Sequence, residues 1–215
     1  MENHHDSAVL RTRPRQARSR ETFDNVLAAA GDMLIETGWE GFNTNALAER
    51  VGCRVATVYR YFPDKVAIVS TLAENIVAQW DKELLDFAES AEPGVDFREL
   101  WPQLVDRFIG ILRRQPAAMA VRSAMQAEPT LRAIDQADNR RLAESVGRTL
   151  QKKLPHLAKM EANSAARTLI ETTVAITDVA LASPAKECSR LLRQLTIMQQ
   201  AYLTRLYEDQ GRRSK

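Results

Sequence analysis

The polar and apolar positions of this chain repeat with a helical period from about residue 19 almost to the end. Phe23, Val26, Leu27, Ala30 and Leu34 recur at i, i+3, i+4, i+7 and i+11, which predicts one amphipathic helix of about 18 residues. Ser19, with Glu21 and Thr22 behind it, suits the start of that helix. "ETGWEGF" ends it, with Gly38 at the C-cap and Gly41 reopening the chain. Thr44 is the expected N-cap of a two-turn helix, "NALAERVG", which closes at Gly52. A third helix is expected from Arg54 to Phe62. Pro63 stops it, because the residue before a proline avoids the helical region. Asp64 then caps a longer helix with the stripe Val69, Leu72, Ile76, Trp80, Leu84 and Phe87, and "AEPG" at 91–94 breaks the chain.

Beyond that break, prolines 116, 129, 155 and 184 punctuate five more helical stretches, near 96–114, 116–126, 128–153, 161–182 and 185–209. No alternating β pattern lies between them. The fold class read from the pattern is therefore all-α, with about nine helices. The stretch 161–182 is apolar on two faces. One carries Ala165, Leu169, Thr172, Ile176 and Ala180, and the other carries Ile170, Val174, Thr177 and Leu181. Such a helix must be covered on both sides. In 185–209, Leu191, Leu195, Met198 and Tyr202 supply one partner face. Pairing of these two helices with a second subunit as a four-helix bundle explains the pattern, and burial within one subunit competes with it.

Composition adds little to this picture, and charge adds one feature. The formal net charge is only +2, but Arg11, Arg13, Arg15, Arg18 and Arg20 fall in one short acid-free run, a basic arm. Residues 1–17 lack periodicity and read as a flexible tail. No apolar run approaches the roughly 20 residues of a membrane span, and no signal peptide is visible, so the expected location is the cytoplasm. Cys53 and Cys188 read as reduced thiols. His4 and His5 lie in the tail, and His156 follows a proline with no ligand pattern around it. No Glu-x-x-His pair, phosphate loop or nucleophile elbow is present, so no enzyme, metal or cofactor is expected.

The chemistry concentrates in 44–62, which has the form of a helix-turn-helix, a motif that lays its second helix in the major groove. At about 100° per residue, Val55, Val58 and Phe62 form the inward side of that helix. Ala56, Thr57 and Arg60 fall opposite, Arg54 and Tyr61 flank one edge, and Tyr59 flanks the other. Small side chains at Ala56 and Thr57 let the axis approach the bases. Arg54 and Arg60 reach guanine or phosphate, and tyrosine hydroxyls donate to phosphate. Lys65 adds a charge at the start of the next helix, and Thr44 stands at the corresponding end of the first. The basic arm suits the minor groove or the backbone.

"TNALAERVGCRVATVYRYFPDK" resembles the DNA-binding signature of the TetR family of bacterial one-component transcriptional regulators over about residues 17–66. The matching elements are Ala48, Gly52, Thr57, Tyr59, Tyr61, Phe62 and Lys65. The resemblance implies an N-terminal three-helix DNA-binding domain (18–66) after the arm, and a C-terminal helical domain (67–215) that binds a small ligand and dimerises. It implies phosphate contacts at Thr44, Thr57, Tyr59, Tyr61 and Lys65, and base proximity for Arg54, Val55 and Ala56. It also implies a ligand-responsive regulator, usually a repressor, acting on a near-palindromic operator as a homodimer. Many relatives carry a capping serine where this chain has Arg54, a loss that costs the helix start roughly 1 kcal/mol. For the effector site, Trp80, Trp101, Phe108, Met119, Met125 and Thr173 are candidate lining residues, and Arg122 a candidate partner for an acidic ligand. An architectural DNA binder without a ligand is the alternative from a different non-enzyme class.

Overall fold

The computed structural model describes residues 14, 16–90 and 95–213. Arg11, Arg13 and Arg15 of the basic arm, and the break at 91–94, lie outside the described residues. Among the described residues the chain forms helices and no strands: α1 (Ala17–Gly41), α2 (Thr44–Val51), α3 (Val55–Tyr61), α4 (Lys65–Ser90), α5 (Phe97–Arg114), α6 (Pro116–Ala127), α7 (Pro129–Lys153), α8 (Lys159–Leu181) and α9 (Ala185–Arg213). The helices after residue 95 begin and end within about a turn of their expected bounds.

The N-terminal elements differ from expectation in three local ways. Helix α1 starts at Ala17, ahead of Ser19, and is interrupted at Gly38, whose φ of 64° and ψ of −176° are open to glycine and costly for other residues. Gly41 does not reopen the chain. A Cβ there would lie 2.8 Å from the Thr37 Cβ, so it is room that this position requires. Thr44 is not the N-cap of α2. Asn43 is, and its side-chain oxygen accepts the Ala46 N–H at 2.9 Å. Asn exceeds Thr as a cap, so that signal was present one residue earlier.

Two compact units form. The first comprises the described residues up to Lys82 with Leu112–Asp135. Its core is built around Phe23 of α1, which stacks on Phe62 (centroids 5.0 Å apart, planes at 21°) and meets Tyr61 edge-on at 5.7 Å. Val26, Leu34, Leu47, Val58 and Phe62 close this core. Burying a side chain such as Phe62 contributes about 1.5–3 kcal/mol. Helix α1 packs on both α2 and α6, and Gly31 allows close approach to Ala117 of α6. Glu36 of α1 holds Arg50 of α2 at 2.5 Å.

The second unit comprises the described residues of Glu83–Ile111 and Gln136–Lys215. Helices α8 and α9 pair in it over a core that includes Phe97, Trp101, Leu150, Leu169, Leu195 and Leu203. Of the expected α9 stripe, Leu195 is buried and Leu191 and Tyr202 are half-buried. The buried positions of the helix are Cys188, Leu195, Gln199 and Leu203, whereas Met198 is 46% exposed. Gln199 is the polar member of that buried set. Its amide donates to the Leu169 carbonyl (2.8 Å) and to the hydroxyls of Thr172 (3.0 Å) and Thr173 (2.9 Å), and its carbonyl accepts the Trp101 indole N–H at 2.9 Å. A polar residue with every group paired is at home in a core.

Candidate nucleic-acid interface

The geometry of the helix-turn-helix follows from its caps. Gly52 takes φ +70°, and behind it the Cys53 N–H returns to the Ala48 carbonyl at 3.0 Å, closing α2 in a left-handed turn. Arg54 is the N-cap of α3 and makes no side-chain cap bond, as its identity implies. Its carbonyl accepts the Thr57 N–H at 2.7 Å. Helix α3 ends at Tyr61 ahead of Pro63, and Asp64 caps α4 by accepting the Ala67 N–H at 2.8 Å.

On α3 the inward side is Val58 and Phe62, both fully buried, with Val55 half-buried at its margin. Arg54, Ala56 and Arg60 are exposed, Tyr59 is 39% exposed, and Thr57 is half-buried. The Tyr59 hydroxyl lies 3.5 Å from the Thr44 hydroxyl, which brings the start of α2 and the outer edge of α3 together.

Tyr61 is the correction on this face. Expected at a free edge, its ring is 3% exposed and packed against Phe23 and Phe62. Its hydroxyl accepts from Arg60 at 2.5 Å, and the Arg60 guanidinium carbon stands 4.7 Å from the ring centroid. The polar tip of a tyrosine permits such burial, provided that it finds a partner.

Lys65 is held as well. Its ammonium sits 4.0 Å from the centroid of the Trp39 ring and donates to the Trp39 carbonyl at 3.4 Å. Neither Trp39 nor Asn43 was singled out from the sequence. Only the fold brings Trp39 to a lysine 26 residues further on.

The seven candidate effector residues divide between the units. Trp80, Met119, Arg122 and Met125 belong to the first, and Trp101, Phe108 and Thr173 to the second. Trp80 donates its indole N–H to Gln115 at 3.1 Å. Arg122, buried, faces Asp135 at 3.7 Å, an internal carboxylate partner. Trp101 and Thr173 do meet, both through Gln199. None of the seven lines the open groove of about 700 Å³ flanked by Arg140, Glu144, Lys159, Met160 and Arg167. Among the described residues no cluster of His, Cys, Asp and Glu is arranged to hold a metal, and no helix is long and apolar enough to cross a membrane.

A capped short helix, a left-handed glycine turn and a second short helix with an exposed cationic face form a helix-turn-helix, the reading head of a DNA-binding regulator. Comparison with known proteins sharpens this. Residues 26–72 match the family described as bacterial regulatory proteins, tetR family, and residues 96–203 match the tetracyclin repressor-like C-terminal domain. The chain belongs to the TetR family, whose members are DNA-binding transcription regulators and not enzymes.

The tetracycline repressor protein class A from transposon 1721 of Escherichia coli is 39% identical over 56 residues, 26% of each chain, so the match spans about a quarter of that relative's length. A TetR-family regulator from Pectobacterium atrosepticum superposes with a TM-score of 0.67 at 18% identity, over 90% of this chain and 97% of that one. A TetR variant from Acinetobacter baumannii in complex with minocycline gives 0.60 at 21% identity, over 87% and 97%. At these identities the two structures establish the shared fold.

Proposed function

We propose that this protein is a ligand-responsive transcriptional repressor that binds a near-palindromic operator as a homodimer and is released by a small-molecule effector. The observation that carries the reading is the outer face of α3. Arg54, Ala56, Tyr59 and Arg60 lie open there, with Thr44 beside Tyr59, on a helix whose other side is closed by Val58 and Phe62. In this reading α3 lies in the major groove, where Ala56 and Thr57 let its axis approach and Val55 meets the base edges at the margin. Arg54 and Arg60 take guanine or phosphate, while Thr44, Thr57, Tyr59 and Lys65 hold the backbone. Tyr61 acts through Arg60, whose guanidinium its hydroxyl holds.

The domain division follows the same reading: an arm over 1–17, the DNA-binding domain over 18–66, and a regulatory and dimerisation domain over 67–215. The dimer forms through α8 and α9, on which Val179, Ile197 and Met198 are 56%, 53% and 46% exposed. Large apolar residues open on two paired helices favour a second copy of the same surface. Two copies of α3 then reach successive major grooves about 34 Å apart. An effector shifts the protein off DNA only by binding better to a state with the wrong spacing. A cytoplasmic location follows from the DNA partner.

Selection of bound duplexes from a random pool, followed by a small-molecule screen for release, tests the whole reading. A recovered palindrome and an effector that dissociates it are expected. A selected site without two-fold symmetry would overturn the dimer on DNA. On the selected duplex, Tyr59→Ala should weaken binding for all sequence variants, and an unchanged gel shift would remove Tyr59 from the interface.

A further inference from the structure

We propose that Trp39, at the broken end of α1, is a positioning residue for DNA binding. It holds the Lys65 ammonium at the start of α4 in the place from which it meets a backbone phosphate. The inference rests on the reading of Lys65 as a phosphate contact and adds the device that sets its geometry.

Three observations converge on this pair. Gly38 takes a positive φ, so the chain turns out of α1 and delivers Trp39 as a nearly buried ring. The Lys65 Nζ stands 4.0 Å from that ring's centroid, inside the range of a cation–π contact. The same Nζ donates to the Trp39 carbonyl at 3.4 Å.

A lysine at the first position of a helix ordinarily samples many rotamers, and a phosphate that binds it must pay the ordering cost. Here the ring lies on one side of the ammonium and one N–H is committed to the carbonyl, so the remaining N–H donors are confined to a narrow set of directions. Lys65 is also the first residue of α4, where the helix N-terminus favours an anion. Trp39 is not itself part of the DNA-facing surface. Its effect passes through Lys65.

The test is a double-mutant cycle by fluorescence anisotropy on the duplex recovered from the random pool, at several salt concentrations, using the full chain. Lys65→Met should weaken binding and lower the salt slope by about one. Trp39→Leu should weaken binding by about two- to fivefold, the worth of an exposed cation–π contact. In the Lys65→Met background, Trp39→Leu should have no effect. Trp39→Phe, which keeps a ring, should fall between wild type and Trp39→Leu, and it serves as the probe if thermal melting shows that Trp39→Leu does not fold.

Equal losses from the tryptophan change in both lysine backgrounds would overturn the proposal, because Trp39 would then act only through the shape of the turn. No loss with either tryptophan variant would overturn it too. If Lys65→Met itself left affinity and salt slope unchanged, the phosphate reading of Lys65 would fail first, a result distinct from either of the others.

Discussion

Replacing Gln199 by Met tests whether the polar cluster between α8, α9 and α5 is a paired network or an incidental contact. Methionine keeps the length and approximate volume of glutamine, so the cavity term is small. The hydroxyls lose little. Thr172 also donates to the Thr168 carbonyl at 2.7 Å and Thr173 to the Leu169 carbonyl at 2.8 Å, and that carbonyl keeps both threonines as donors. The group left stranded is the Trp101 indole N–H, on a ring that is 6% exposed. A buried donor without an acceptor costs about 1–3 kcal/mol, so Gln199→Met should destabilise by about 2 kcal/mol. Trp101→Phe should strand the Gln199 oxygen at similar cost, with a further loss of packing.

Because removing both partners leaves nothing unpaired, the double variant should be more stable than the sum of the singles predicts, by about 1–2 kcal/mol. Urea unfolding by circular dichroism reads this, at one fixed protein concentration because the proposed subunit association would contribute to stability. Additivity within about 0.3 kcal/mol would refute the reasoning.

Three further outcomes follow from the same structure. Arg54→Ser supplies the missing cap of α3 and should raise stability by about 1 kcal/mol, about 2–4 °C in melting temperature, while relaxing base preference at one operator position. An unchanged melting curve would mean that the serine does not cap. Asp96 accepts from the Arg98 guanidinium and backbone N–H, which holds its carboxyl below the ordinary value of 3.8. Its contribution is therefore present above the unfolded pKa and lost as pH falls through the folded one. Asp96→Asn should flatten the decline in melting temperature below about pH 4, and an identical acid limb would contradict the assignment. Ile197→Glu should convert the proposed dimer to monomer in sedimentation velocity, and a variant that stays dimeric would place the contact elsewhere than the exposed faces of α8 and α9.

Much of this was legible along the chain because helices carry their own punctuation. Prolines 116, 129 and 184 sit at or beside helix starts, and Pro63 stops α3, so these junctions needed no tertiary information. The short α2, its closure at Gly52 and the division of α3 around Val58 were also visible, since each depends on neighbours within a few residues. The misplacements have different causes. Thr44 for Asn43 is a local matter of capping preference, whereas Tyr61 was placed at an edge by its residue type. In the fold, distant partners set the environment. Phe23 receives the ring of Tyr61, and Trp101 with Thr173 makes a core site for Gln199 that apolar periodicity assigns to solvent.

By itself, then, the sequence determined the all-helical class, nearly every helix junction, and a two-helix reading head with cations on its outer side. Local sterics, capping and a 3.6-residue period act over short separations, and those are written in consecutive residues. Only the tertiary structure decided which polar groups are held and by what: the Tyr61 ring against Phe23, Gln199 on the indole of Trp101, and Lys65 on the ring of Trp39. Those pairings join residues from separate helices, and the energy of a buried polar group or a seated cation belongs to the partner that the fold delivers.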